Sequence, residues 1–208
     1  DAQPCRNDSG APVLLEDKKA LPALGHAALH LTGKLLIYRS VAQAATFLDS
    51  MSGELERRAE TNQADASWQF ALGLWHGQSG TVLLTLGDLK TAGVHFRERF
   101  AISERLVSND PANTEWQSGL AGSHLKLGDL AVALGDLPTA FRYYSVGFAI
   151  SECLVASDPG NTEWRRDLSV FYSKLGNLAV TQGDLPSAFQ HFSECLKIAE
   201  ALAASDPA

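Results

Sequence analysis

The chain has little of several things, and each shortage removes a class of protein. Three cysteines among 208 residues, Cys5, Cys153 and Cys195, are too few and too odd a set for a disulfide framework. Only 20% of residues are charged, which excludes a strongly charged disordered chain. No basic run exists, and 17 Lys and Arg face 24 Asp and Glu for a net charge of −7. A nucleic-acid binder driven by phosphate contacts is thereby excluded. The longest apolar stretch, around residues 35–37, is bounded by Lys34 and Arg39, far short of the roughly 18 to 20 residues a membrane span needs. Nucleophile elbow, P-loop, dinucleotide fingerprint, EF-hand loop and HExxH are all missing, so no catalytic residue, metal ligand or cofactor is assigned. What is present is a chain with 45% hydrophobic residues, enough for a sizeable core. It starts at Asp1 instead of Met, which reads as a processed or excised start and tilts the expected location toward export. Asn7-Asp8-Ser9 is a glycosylation sequon, a frequent chance match.

Repetition dominates the organisation. Asn113-Thr114-Glu115-Trp116 recurs 48 residues later as Asn161-Thr162-Glu163-Trp164, and the same step back from Trp116 lands on Trp68. Gly87-Asp88-Leu89, Gly135-Asp136-Leu137 and Gly183-Asp184-Leu185 keep that spacing, as do Asp110-Pro111, Asp158-Pro159 and Asp206-Pro207. A period of this size means stacked supersecondary units in place of a closed enzyme fold. In the middle unit Trp116, Leu120, His124, Leu127, Leu130, Ala131 and Leu134 recur at helical steps and predict one apolar helix face. Gly135 ends that helix, Asp136 caps the next and Pro138 sits in its first turn. Ala140, Tyr144, Phe148, Ile150 and Leu154 supply the second helix's buried side. So short a turn permits only an antiparallel hairpin. Gly80, Gly128 and Gly176 recur inside the first helices, where glycine costs about 1 kcal/mol against alanine; close approach of the partner helix is the expected return. Ala92, Ala140 and Ala188 fit the other side of that contact, with Phe96, Tyr144 and Phe192 between successive hairpins.

The spacing Gly128–Gly135–Ala140–Tyr144, copied at Gly80, Gly87, Ala92 and Phe96 and at Gly176, Gly183, Ala188 and Phe192, resembles the tetratricopeptide repeat. Its period of 48 is longer than the usual 34, and resembles the longer repeats of many bacterial multi-repeat proteins. The resemblance covers about residues 62–208. It implies an all-α, right-handed α-solenoid of stacked antiparallel helical hairpins, and protein binding without catalysis. The expected organisation is an extended N-terminal arm at 1–20, a degenerate capping hairpin at 21–61 and three repeats at 62–109, 110–157 and 158–208.

Isolated chemical groups read as structural. His76 and His124 are repeat-equivalent to Tyr172, and His95 and His191 to Tyr143, a pattern of packing positions. His26 and His30 share a helix face, but a zinc site needs three or four ligands. Cys153 and Cys195 lie 42 residues apart, out of register for a bridge, and read as small buried residues. Glu98, Glu104 and Glu152 read as solvated helix faces.

The binding candidates fall in two places. In a stack of hairpins the first helices line a groove, and their faces turned from the core carry Gln78, Lys126, Asp129, Lys174 and Asn177. Lys126, Lys174 and Asn177 resemble part of the carboxylate clamp that some tetratricopeptide proteins use for peptide C-termini; Gln78 and Asp129 break that pattern. At the end of the array, Phe192, Leu196 and Leu202 predict an apolar outer side. Its partner would be another protein or, as the alternative, a second copy stacked head to tail as a filament. Protein or peptide partners are expected, and neither nucleic acid nor membrane insertion.

Overall fold

The computed structural model describes Arg57, Thr61 and residues 66–205. The expected arm, the expected capping hairpin apart from those two residues, and Cys5, His26 and His30 lie outside the described residues. Six helices follow one another: α1 (Ala66–Leu86), α2 (Leu89–Asn109), α3 (Thr114–Ala133), α4 (Leu137–Ser157), α5 (Thr162–Gln182) and α6 (Leu185–Ser205). They pack as consecutive antiparallel pairs. Each hairpin also packs on the next through α2 against α3 and α4 against α5. Among the described residues no helix is long and apolar enough to cross a membrane.

The motifs turn out to be punctuation, and each is satisfied locally. Gly87, Gly135 and Gly183 take φ of +83°, +77° and +78°, a left-handed backbone that only glycine adopts freely. At the middle turn the Gly135 N–H donates to Val132 O at 2.9 Å and the Asp136 N–H to Ala131 O at 2.9 Å, the paired bonds of a Schellman stop. Asp136 then starts the next helix, its Oδ1 accepting from Thr139 N at 3.1 Å. Asp88 and Asp184 repeat this with Thr91 and Ser187. Those bonds hold all three carboxyls below their ordinary pKa. Between hairpins Asn113 and Asn161 accept from Trp116 N and Trp164 N, both at 3.1 Å. The Asn-Thr-Glu-Trp string is thus an N-cap and the first helical turn behind it.

The long period has a geometric reading. Relative to the usual 34 residues it adds 14, or seven per helix, close to two full turns. An extension of two turns returns every later side chain to nearly its original face, so the packing pattern survives while the helices lengthen.

The recurring glycines make room for rings. A Cβ at Gly80 would lie 2.5 Å from Phe96 Cε1, one at Gly128 would fall on Tyr144 Cε1, and one at Gly176 would lie 2.7 Å from Phe192 Cε1. The ring from the second helix of each hairpin therefore seats on a bare stretch of the first. Phe96 and Tyr144 are 0% and 2% exposed. They also reach the following hairpin, Phe96 packing with Leu127 and Leu130, Tyr144 with Leu175 and Leu178.

Two expectations are corrected. Leu134, expected on the buried face of α3, is 62% exposed, because it is the C-cap, where the chain leaves the helix. Cys153, expected to be buried, is exposed; Cys195 is intermediate, and both are free thiols. Cys153 lies one residue before the buried Leu154 and two after the buried Ser151, on the outward side of α4.

Candidate functional site

The first helices α1, α3 and α5 form the walls of a cleft of about 410 Å³. Phe70 and Leu74 of α1, Leu125 of α3, and Trp164, Val170 and Phe171 of α5 make its apolar surface. Thr114, Glu115 and Ser118 from the start of α3, with Glu163 and Asp167 of α5, make a polar and acidic side. Partial enclosure and the neighbouring Glu163 push the Asp167 carboxyl above its ordinary pKa, with Arg166 opposing them.

One lining residue comes from a different layer. Arg99 belongs to α2, yet it lines the cleft because α1 and α3 leave a gap for it. A Cβ at Gly77 of α1 would fall on Arg99 Nη1, and one at Gly122 of α3 would lie 3.0 Å from Nη2. The residue is half-buried, and desolvation lowers its pKa well below the ordinary guanidinium value, to about 10. Its Nε donates to Ser123 Oγ at 3.2 Å. Ser123 in turn meets Ser103 Oγ at 2.9 Å and donates to Gly119 O. No carboxylate among the described residues forms an ion pair with Arg99.

The five groove residues expected from sequence lie on the same three first helices but outside the cleft lining. Lys174 and Asp129 form an ion pair at 2.7 Å across the α3–α5 boundary, and Asp129 also accepts from Tyr144 Oη at 2.8 Å. Burial and that carboxylate raise the Tyr144 pKa far above its ordinary value. Lys126 is half-buried, and enclosure lowers its pKa; Asp129 opposes this, while Arg99 and Lys174 add to it. Asn177 is exposed and its carbonyl accepts from Thr181 Oγ1 at 2.9 Å; Gln78 is half-buried on α1. The structure therefore brings Lys126, Asp129 and Lys174 together, with Arg99 as a fourth charge that sequence reading missed. Arg99 was detectable: the equivalent positions are Gly147 and Cys195, so it breaks the repeat.

At the other candidate surface, Phe192 is 38% exposed and Leu196 is exposed, while Leu202 is half-buried. Leu185 and Phe189 of α6, which were not expected on this surface, are more exposed than Phe192, Phe189 at 76%.

The repeat-equivalent histidines lie in a run of rings. His76 and His95 meet through their Nδ1 atoms at 3.0 Å. His124 lies between Phe100 and Tyr143, at 5.1 and 5.9 Å between centroids. Tyr172 lies between Phe148 and His191, at 4.9 and 6.0 Å. Among the described residues no three His, Cys, Asp or Glu side chains gather closely enough to hold a metal ion.

No protein-family model matches the chain, and no curated protein matches it. Solved structures do. One is the crystal structure of BtubC (BKLC) from P. vanneervenii, at 17% identity with a TM-score of 0.64, covering 94% of this chain and 70% of that one. Another is the MamA RS-1 ArsTM double mutant, at 16% identity with a TM-score of 0.23, covering 85% and 95%. The first superposition, at so low an identity, is a likeness of fold. The fold is a tetratricopeptide-like solenoid. In such a solenoid the first helices form one continuous layer, and the cleft with Arg99 lies in that layer.

Proposed function

We propose that this chain is a non-enzymatic scaffold that holds an extended segment of a protein partner against its first helices. The observation that carries this reading is the cleft itself. Stacking of the hairpins uses other faces of α1, α3 and α5 and leaves Phe70, Leu74, Trp164 and Val170 along an open channel with charges on its sides. Aromatic and aliphatic anchors beside a few placed charges are what a peptide-binding groove needs. Gln78, Lys126, Asp129, Lys174 and Asn177 extend the polar rim in this proposal. Selection of peptides from a displayed library on the immobilised chain tests it. Selected peptides should lose at least tenfold in affinity for a Leu74→Glu/Val170→Glu variant and shift backbone amide resonances of α1, α3 and α5. Peptides that bind this variant unchanged, or that map to α2, α4 and α6, would overturn the reading.

A second reading rests on α6. Leu196 occupies the place that Phe100 and Phe148 hold in the earlier repeats, where each ring packs on a ring of the next first helix. A head-to-tail neighbour, presenting a first helix of its own, would cover Leu196, Phe192 and Phe189. Leu202 lies further along α6. Sedimentation across a concentration series decides it: growing assemblies that a Phe189→Glu/Leu196→Glu variant abolishes support the filament, and a monomer at every concentration removes it.

A further inference from the structure

The three repeats act as one another's controls, and the cluster around position 99 departs from them in concert. Position 99 is Arg in the first repeat, Gly147 in the second and Cys195 in the third. Position 123, against which Arg99 packs, is Ser where its equivalents are Trp75 and Phe171. Position 122 is Gly where its equivalents are Leu74 and Val170, and position 77 is Gly where its equivalents are Leu125 and Ser173. Every neighbour that a larger side chain would drive into the guanidinium is small. These departures have one common effect: they pass a cation from the second-helix layer, through a glycine window, to the floor of the cleft.

Its surroundings are incomplete for an arginine. A half-buried guanidinium loses part of its hydration, and such groups are normally paired with a carboxylate. Here Nε has Ser123, and no ion pair forms at Nη1 or Nη2 among the described residues. Asp129, which acts on Lys126, is engaged with Lys174 and Tyr144, and Lys126 is a second positive charge close enough to Arg99 to feel it. We infer that Arg99, framed by Gly77 and Gly122, is a seat for a carboxylate of the cleft's ligand, an Asp or Glu side chain carried among apolar residues. The planar fork of a guanidinium matches a carboxylate in two parallel hydrogen bonds. Flanking apolar groups of the ligand would lie on Leu74, Leu125 and Val170. Glu115, Glu163 and Asp167 repel further acidic residues from the other side of the cleft, so one acidic group is accepted and an acidic run is not. This inference rests on the peptide-groove reading and gives it a ligand chemistry.

The test uses the full chain and two small neutral-backbone compounds, N-acetyl-glutamate N-methylamide and its glutamine counterpart, titrated at pH 7 while the Arg99 Nε–H resonance is followed. The glutamate compound should shift that resonance saturably, and the glutamine compound should bind at least tenfold more weakly. Arg99→Met should abolish the response. Gly77→Ala, which keeps the arginine but fills its window, should weaken it by at least fivefold. An equal response to glutamine, a titration with no saturable shift at Arg99, or an undiminished response of neighbouring methyl groups in Arg99→Met would overturn the seat. The wild-type titration decides even if a variant fails to fold. Should Arg99 stay silent while selected peptides shift Leu125 and Val170 methyl resonances, the carboxylate seat falls and the groove stands. Should Arg99 bind the glutamate compound while no displayed peptide is recovered, the groove reading falls instead.

Discussion

Two junctions between hairpins, α2 against α3 and α4 against α5, solve one packing problem in opposite ways. At the first, the large side chain comes from the second helix: Arg99 enters, and Ser123 and Gly122 yield to it. At the second it comes from the first helix of the next hairpin. Phe171 is 2% exposed, and a Cβ at the facing Gly147 would lie 2.5 Å from its Cζ. What the repeat preserves is therefore the filling of a slot, since close packing punishes both voids and overlaps. The chemistry in the slot is free to change. An apolar ring serves stability, while a half-buried cation that no carboxylate among the described residues meets costs some of it.

The comparison breaks most visibly at Phe171. Phe171→Ala should lower unfolding free energy by about 3–4 kcal/mol, measured by urea denaturation followed by circular dichroism. Next come the facing glycines. Gly147→Ala meets a rigid ring and should cost about 2 kcal/mol, whereas Gly122→Ala meets the movable end of Arg99 and should cost under about 1 kcal/mol; the same denaturation curves separate them. A smaller effect belongs to pH and to the first hairpin, about 1–2 kcal/mol once solvent screening of a partly exposed ring reduces the roughly 3.4 kcal/mol of the full shift. Burial, and then His95, hold the His76 pKa at about 4 against 6.5. The unfolded chain therefore binds more protons between those values, so stability is complete above pH 6.5 and falls as pH drops toward 4. His124 is also lowered by burial and adds in the same direction. His76→Phe should reduce the slope of stability against pH between 4 and 6.5 without removing it. The smallest change is expected for Arg99→Met, within about 1 kcal/mol of wild type, because loss of the Ser123 bond is offset by removal of a half-buried charge. A large destabilisation there would make Arg99 a structural residue.

The fold was legible because its signals are local. A glycine at positive φ followed by an aspartate cap, or an asparagine three residues before tryptophan, acts within one turn of chain, and a 48-residue echo makes each one visible. The cleft was legible only as a layer. Lys126, Asp129, Lys174 and Asn177 are legible as first-helix residues that face away from the core, a pattern that does not extend to Arg99 on a second helix. Its path depends on Gly77 and Gly122, which lie 22 and 23 residues away on two other helices. Averaging the repeats to find what they share also hides it; the position shows only when the three copies are compared for what they do not share. Cys153 failed for a simpler reason: one residue of displacement from Leu154 on a helix turns a side chain by roughly 100°, enough to move it from core to solvent.

The turns described above bear on how the chain reaches this shape. Each hairpin stops and restarts its helices with bonds drawn from a few adjacent residues, and helices pack chiefly on their neighbours in sequence. Little loop-closure entropy then opposes each step, which is the condition for rapid folding. A nascent chain could close one hairpin before the next has been synthesised, each completed pair serving as the surface on which its successor condenses.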